Sequence, residues 1–207
     1  MAQQVLKVPP TKNTLLSLKK QVRFLEEGHD LLERKRELLT RLVYERIGEY
    51  RRLREEAESG LAEAYRCLGI THLRMGSRGL NQAALGASPG LHVEILPRRS
   101  LGVEYPAVSA EQLPIKPTGL LGTDASFDNT REHLAKAAVL LARLGEVEIA
   151  LYRLMEEQRK AQKRVNALKY NIIPLYQRSI HFIQSALEEE ERNTLFQVKV
   201  LRERAAI

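Results

Sequence analysis

The sequence predicts a mainly α-helical protein: a long antiparallel two-helix coiled coil with a small Gly/Pro-rich α+β head that contains a short β-hairpin. Three observations predict this class in a chain of 207 residues. Apolar residues recur every three or four positions over residues 13–68 and again over residues 130–204. Between these stretches the spacing is lost and glycine and proline accumulate. Because a helix with one narrow apolar stripe needs a partner of similar length, the two stripes are expected to pair.

Residues 1–12 are predicted to form an extended N-terminal segment, because Pro9 and Pro10 do not fit a helix interior. Thr11 or Asn13 offers a side-chain oxygen to cap the coiled-coil helix predicted over residues 13–68. We call the line of apolar contacts between the two helices the seam. The first helix is expected to contribute Leu18, Val22, Leu25, Leu32 and Leu39 to it.

Residues 69–129 are predicted to form the head insert. They hold eight of the 12 glycines and five of the 8 prolines in the chain. Residues 92–96 and 101–105 alternate apolar and polar side chains, which predicts two strands of a β-hairpin with its turn at residues 97–100. A short helix is predicted over residues 70–85.

Residues 130–204 are predicted to form the second coiled-coil helix, with an N-cap supplied by residues 128–130. Gln158 and Ser179 interrupt its apolar stripe. Pro174 lies inside the stripe, but the pattern resumes in register after it, so we predict a kink within one continuous helix. The residues expected to form the seam on this helix are Leu144, Leu151, Val165, Leu168, Ile172, Leu175 and Phe182.

Composition argues against several classes of site. A net charge of +7 with 29% charged and 5% aromatic residues is typical of long solvated helices. The chain has one cysteine, Cys67, which rules out an internal disulfide and a CxxC motif. No phosphate-binding loop, closely spaced histidine pair or framed nucleophile is found. We therefore predict no catalytic residues, no cofactor and no metal.

Basic residues alternate with acidic ones and are not interleaved with aromatic side chains, so we predict no nucleic-acid partner. No uncharged run approaches the roughly 18 residues of a membrane span, so we predict no direct membrane insertion. The chain is expected to be cytoplasmic.

Particular sequence strings go further than periodicity. The chain contains PTK at residues 10–12, GHDLLERKREL at 28–38, RVNAL at 164–168 with a proline shortly after, and LEEEER at 187–192. In order and spacing, these strings resemble the D subunit of the V-type and archaeal-type (V/A) rotary ATPases. The resemblance covers both long helices.

The resemblance implies the function of a non-catalytic central-stalk axle. In that family, the axle transmits torque between a hexamer of A and B subunits, which hydrolyses or makes ATP, and the membrane ring that carries H+ or Na+. The implied partners are the A and B subunits, the F subunit and the adaptor (C/d type) on the membrane ring. The chain would then be peripheral to the membrane, as part of a membrane-bound complex.

On this interpretation, the ends of both helices lie in the bore of the hexamer, and the head faces the F subunit or the membrane side. The residues predicted to contact the hexamer are Lys19, Lys20, Arg23, Lys163, Arg164, Asn166, Arg178, Glu188 and Glu191.

Two other interpretations stay open on the residues alone. A free-standing coiled-coil adaptor or tether, with the head as its protein-binding module, predicts a stable homodimer. A coiled coil that binds nucleic acid predicts steep salt dependence of DNA or RNA binding.

Overall fold

The computed structural model describes residues 6–116 and 122–205, so parts of the predicted N-terminal segment and head insert, residues 1–5 and 117–121, lie outside the described residues. The predicted fold class is confirmed: the described chain is mainly helical and carries one antiparallel β-hairpin. In chain order the elements are α1 (Lys12–Leu85), β1 (Leu91–Ser100), β2 (Val103–Gln112), α2 (Ala125–Ala167), a π-helical turn (Leu168–Ile172) and α3 (Ile173–Ala205).

The chain divides into two units, which are described separately. The terminal unit consists of Met1–Glu37 and Arg159–Ile207, and the central unit is Leu38–Gln158. In the terminal unit, contacts pair rising residue numbers on α1 with falling numbers on the returning helices, so the helices are antiparallel. These contacts are Lys12 with Glu191 at 2.7 Å, Glu26 with Gln177 at 3.4 Å and Arg36 with Gln162 at 3.3 Å.

The central unit pairs α1 with α2 in the same antiparallel sense. Toward the end of α1, Arg74 binds Asp124 just before α2 begins, at 3.0 Å. One turn earlier, the hydroxyls of Thr71 and Thr130 lie 2.7 Å apart. Apart from Phe127, the buried apolar side chains that these two helices contribute to the central unit are small or branched: Leu39, Ala57, Ala64, Cys67, Ala135, Ala137, Val147, Ala150 and Leu154.

Both helices of the prediction are longer at the central end than expected. The first helix was expected to stop at Leu68, with a separate short helix over residues 70–85. In the structure α1 spans Lys12–Leu85 and consists of two helical segments joined by a kink at Gly76. Within it, Gly76 alone leaves helical geometry, with φ 70° and ψ 164°. Glycine adopts this left-handed φ without a Cβ clash, so the backbone departs at one residue and then resumes its helix.

The predicted N-terminal cap is found for the first helix, but the second helix begins earlier than predicted. The amide of Thr14 donates to the Thr11 hydroxyl at 3.2 Å, and the Thr11 amide donates back to the Thr14 hydroxyl at 3.1 Å, so Thr11 caps α1. The second helix begins at Ala125, not Thr130. Its cap is Asp124, whose carbonyl accepts the Phe127 amide at 2.8 Å.

The predicted hairpin is present, but its turn is displaced. The turn consists of Leu101 and Gly102, with φ 49° and 79°, and not of residues 97–100. Positive φ at both positions is the hairpin turn whose twist matches that of the strands. Pro97 pairs with Pro106 inside the ladder. Counting from the hydrogen-bonded pair that closes the turn, this is a non-hydrogen-bonded pair, so neither proline removes a ladder bond.

The helix does not stop at Pro174. The amide of Ile173 donates to the carbonyl of Leu168, five residues back, which closes a π-helical turn, and α3 follows directly. A proline removes one amide donor and crowds the carbonyl four residues earlier, and the wider turn accommodates both defects. The expectation of one continuous helical path through Pro174 is confirmed.

A pair of glycine substitutions tests how closely α1 and α2 approach. A Cβ at Gly48 would meet nothing within 4 Å, whereas a Cβ at Gly60 would lie 3.1 Å from Cδ1 of Leu140. We expect Gly48→Ala to raise the free energy of unfolding by about 1 kcal/mol, the gain in helix propensity. We expect Gly60→Ala to gain less, or to lose stability, because Leu140 must move. Urea unfolding followed by circular dichroism measures both, and an equal gain at the two positions would contradict the packing.

Thr71 tests the buried polar contact. Its side chain is 0% exposed, and its hydroxyl lies within 3.0 Å of the Cys67 carbonyl and 2.7 Å of the Thr130 hydroxyl. Thr71→Val should lower the free energy of unfolding by about 1–3 kcal/mol, because it removes a buried hydrogen-bond partner. Thr194→Val is the matched control, since that hydroxyl bonds the Glu190 carbonyl four residues back in the same way but is exposed. Equal losses in the two variants would argue against the network.

Candidate protein-interaction surface

The residues that the sequence predicts as contacts all lie in the terminal unit, and all are exposed. The returning helices carry most of them, and α1 carries the others. The full set is Lys19, Lys20, Arg23, Lys163, Arg164, Asn166, Arg178, Glu188 and Glu191. These positions offer charge and hydrogen-bonding groups to a partner, because none of them is packed into the core.

Five of the predicted basic contacts, on both helices of the terminal unit, form no ion pair with the residues that the structure describes: Lys19, Lys20, Arg23, Lys163 and Arg164. Several basic residues of the central unit behave differently. Arg52, Arg54 and Arg66 each pair with a glutamate on their own helix, at 3.4, 2.8 and 2.6 Å. The terminal unit therefore presents positive charge that the described chain leaves uncompensated.

Three other predicted contacts are already engaged within the unit. Asn166 accepts a hydrogen bond from Gln162 at 2.8 Å, and Arg178 donates to the Pro174 carbonyl at 3.1 Å. Glu191 pairs with Lys12 at 2.7 Å. The hydrogen bond and the charge of Lys12 lower the pKa of Glu191.

The N-terminal segment lies against α3. The Leu6 amide donates to the buried Ser179 hydroxyl at 3.0 Å, and Ser179 in turn donates to the Leu175 carbonyl at 2.8 Å. An open groove of about 660 Å3 lies where this segment meets α3, and Pro10, Lys12 and Leu195 are among its lining residues. The sequence analysis treated Ser179 only as an interruption of the stripe, and no local pattern indicates its partner 173 residues away.

The last turns of α3 expose large apolar side chains. Leu195 and Phe196 are 71% and 67% exposed, and Val198 and Leu201 are also exposed. They follow the Lys12–Glu191 pair in the sequence. These side chains were not among the predicted contacts, although apolar residues beyond the end of the stripe could have indicated them.

The predicted seam residues are buried to different extents. Leu18, Val22, Leu39 and Val165 are buried. The half-buried members are Leu25, Leu32, Leu144, Leu151, Leu168, Ile172 and Leu175. Phe182 is 54% exposed, while Ile183 beside it is 1% exposed. Ser179, four residues earlier, is also buried, so residues 179 and 183 lie one helical turn apart on the inward face.

Within the described residues, no helix is both long enough and apolar enough to cross a membrane.

Comparison with known proteins shows the family. A family model for the D subunit of ATP synthase matches residues 14–203. The chain is 38% identical over 202 residues to the V-type ATP synthase D subunit of Thermotoga neapolitana, covering 97% of this chain and 100% of that protein. It is 34% identical over 203 residues to the A-type ATP synthase D subunit of Pyrococcus furiosus, covering 96% of this chain and 95% of that protein. It is 32% identical over 199 residues to the A-type ATP synthase D subunit of Methanosphaera stadtmanae, covering 94% and 93%. Each match runs through both long helices and the hairpin, and the chain belongs to the ATP synthase D subunit family.

Proposed function

We propose that this chain is the central-stalk axle of a V/A-type rotary ATPase, a non-catalytic component that transmits torque. The observation that carries the proposal is the family match over residues 14–203, which includes both coiled-coil helices. The axle would connect the A/B hexamer, where ATP is made or hydrolysed, with the ion-translocating ring in the membrane. The chain would be cytoplasmic and attached to the membrane only through other proteins of the complex.

The terminal unit is the part that we place in the bore of the A/B hexamer. Its basic side chains at Lys19, Arg23 and Arg164 are exposed and unpaired among the described residues. Buried cations need anionic partners, so the opposing loops of the A and B subunits are expected to carry carboxylates. The exposed apolar end of α3 would add contact area that does not depend on charge.

An axle acts on its surroundings by making unequal contacts. Three A/B pairs around the terminal unit would meet different faces of it, so their conformational equilibria would be shifted by different amounts. Rotation of this unit would move each face to the next pair. Its helix pair must not deform while this happens, and close packing of the seam side chains resists such deformation because interiors pack at crystal-like density.

The central unit is the part that we place against the F subunit or the membrane-ring adaptor (C/d type). The hairpin is a two-stranded sheet. Side chains of α2 occupy part of the outer edge of β2, because Glu146 accepts from the Val108 amide at 3.2 Å and Arg153 donates to the Glu104 carbonyl at 2.6 Å. The outer edge of β1 is therefore the one that we expect to offer backbone groups to a partner. The exposed apolar side chains Ile95 and Leu96 lie on β1. An edge of this kind suits pairing with a strand or packing against a helix of a partner protein.

Co-purification tests the assignment. The chain is co-expressed with the A, B and F subunits, and the complex is isolated through a tag on the A subunit. An axle is expected at one copy per A/B hexamer, together with the F subunit. The adaptor alternative predicts a homodimer that binds none of these three proteins, and this result would refute the proposal.

Charge reversal tests the contact surface. Lys163→Glu combined with Arg164→Glu should weaken binding to the A/B hexamer by at least about tenfold, because like charges then face each other. The binding of the wild type should also weaken with added salt, and the variant should show a smaller salt dependence, because Lys19, Lys20 and Arg23 remain on this surface. Arg51→Glu with Arg52→Glu is a matched control of adjacent basic residues in the central unit. Affinity and coupled ATPase activity of the assembled complex are measured for each. Unchanged coupling in the Lys163/Arg164 variant would remove these residues from the interface.

A further inference from the structure

Three side chains of the central unit that could bind a metal ion come together across α1 and α2. Glu63 and Cys67 lie one helical turn apart on α1, and His133 lies on α2. One ligand atom from each, a carboxylate oxygen, the sulfur and a ring nitrogen, lies within 4.8 Å of the other two. Among the described residues, this is the one such group of three or more.

The packing of the helices fixes this arrangement. The hydroxyls of Thr71 and Thr130 meet at 2.7 Å, and the Thr71 hydroxyl lies 3.0 Å from the Cys67 carbonyl. Cys67 is one turn before Thr71 on α1, and His133 is about one turn after Thr130 on α2. In an antiparallel pair, the contact that aligns the two threonines therefore places Cys67 opposite His133. Ligands that rigid elements hold in place lose little entropy on binding a metal.

The site is reachable from solvent. An open groove of about 410 Å3 runs along the helix pair, and Glu63, His133 and Gly60 are among its lining residues. Gly60 has no side chain and leaves one wall of the groove low. Cys67 is buried behind Glu63, with its sulfur 3.8 Å from a Glu63 carboxylate oxygen. An ion entering the groove would meet the carboxylate and the imidazole first and the thiol last.

We propose that Glu63, Cys67 and His133 form a site for a divalent transition-metal ion of the Zn2+ type, which would link α1 to α2. Sulfur, imidazole nitrogen and carboxylate oxygen are the usual zinc ligands, and three of them leave a fourth position for water. In a tetrahedral site with bonds of about 2.0–2.3 Å, ligand atoms lie roughly 3.3–3.8 Å apart. Small side-chain rotations would bring the three ligand atoms from their present separations of up to 4.8 Å to the separations of a bound ion. As the metal–sulfur bond forms, the Cys67 thiol loses its proton to solvent.

Arg66 competes with the ion. Its guanidinium donates two hydrogen bonds to the Glu63 carboxylate, at 2.9 and 2.6 Å. The same guanidinium repels a divalent ion and occupies the carboxylate. Metal binding must displace or loosen this pair, so Arg66 tunes the affinity of the site.

The test uses the untagged full-length chain, reduced with a phosphine and freed of metal. Co2+ is titrated first, because a cobalt–thiolate bond gives a charge-transfer absorption band, and Zn2+ is then added to displace it. We expect one ion per chain, loss of the band on addition of Zn2+, and a higher melting temperature with Zn2+ present. No saturable binding in the wild type would overturn the proposal.

Variants separate this site from accidental binding. His133→Asn should weaken Zn2+ binding at least about tenfold, and Cys67→Ser should abolish the charge-transfer band. Arg66→Ala should strengthen binding, which a non-specific surface ion would not show. His181→Asn, which changes an exposed histidine of the terminal unit, is the control and should bind like the wild type. If Cys67→Ser does not fold, His133→Asn and Arg66→Ala still decide. Wild-type affinity in His133→Asn, or no gain in Arg66→Ala, would overturn the assignment.

Discussion

Neither α1 nor the returning helices can keep their apolar faces out of water alone, so side-by-side pairing supports every other feature of the chain. In the terminal unit, Val165 and Ile183 are almost fully buried, and in the central unit Leu39 and Ala64 are fully buried. Alanine recurs in the central core, and its small side chain lets two helix backbones approach closely. Close approach explains why a Cβ at Gly60 would press on Leu140. It also brings polar groups on facing helices within bonding distance, which larger core residues would prevent.

Polar groups in these cores are tolerated because each is satisfied locally and also marks a position along the pair. Thr71 and Ser179 each lie within hydrogen-bond distance of a carbonyl four residues back on their own helix, so burial leaves neither hydroxyl unsatisfied. Each hydroxyl also contacts a group outside its own helical turn: Thr71 lies near the Ser126 carbonyl and the Thr130 hydroxyl, and Ser179 accepts from the Leu6 amide. An apolar stripe can slide along its partner by a heptad at modest cost, but a buried hydroxyl that loses its partner cannot. These contacts therefore favour one alignment within each unit.

Periodicity predicted the helices and their antiparallel pairing because burial of a stripe is a regional property that many residues share. The predictions are wrong where a single residue determines the local backbone or the buried position. The helical geometry of α1 breaks at Gly76 and not at the expected boundary between Leu68 and Gly69, and the sequence does not show which of these glycines breaks the helix. Pro97 looked like a turn residue, and only the pairing with Pro106 reveals a position where no amide is needed. After Ser179 the buried position is Ile183 and not Phe182, and the heptad pattern alone did not distinguish these two adjacent apolar residues.

The exposed charges of the terminal unit fit a contact that has to be made and broken repeatedly. A close-packed apolar interface resists sliding, because interdigitated side chains must separate before they move. Charged side chains on long flexible stems interact over a Debye length of about 8 Å and do not require one geometry. Lys163 and Arg164 therefore can attract a partner without locking to it. In the proposed axle, charged contacts on the outer faces of the terminal helix pair would keep it centred in the hexamer. The buried seam on its inner faces would keep it stiff.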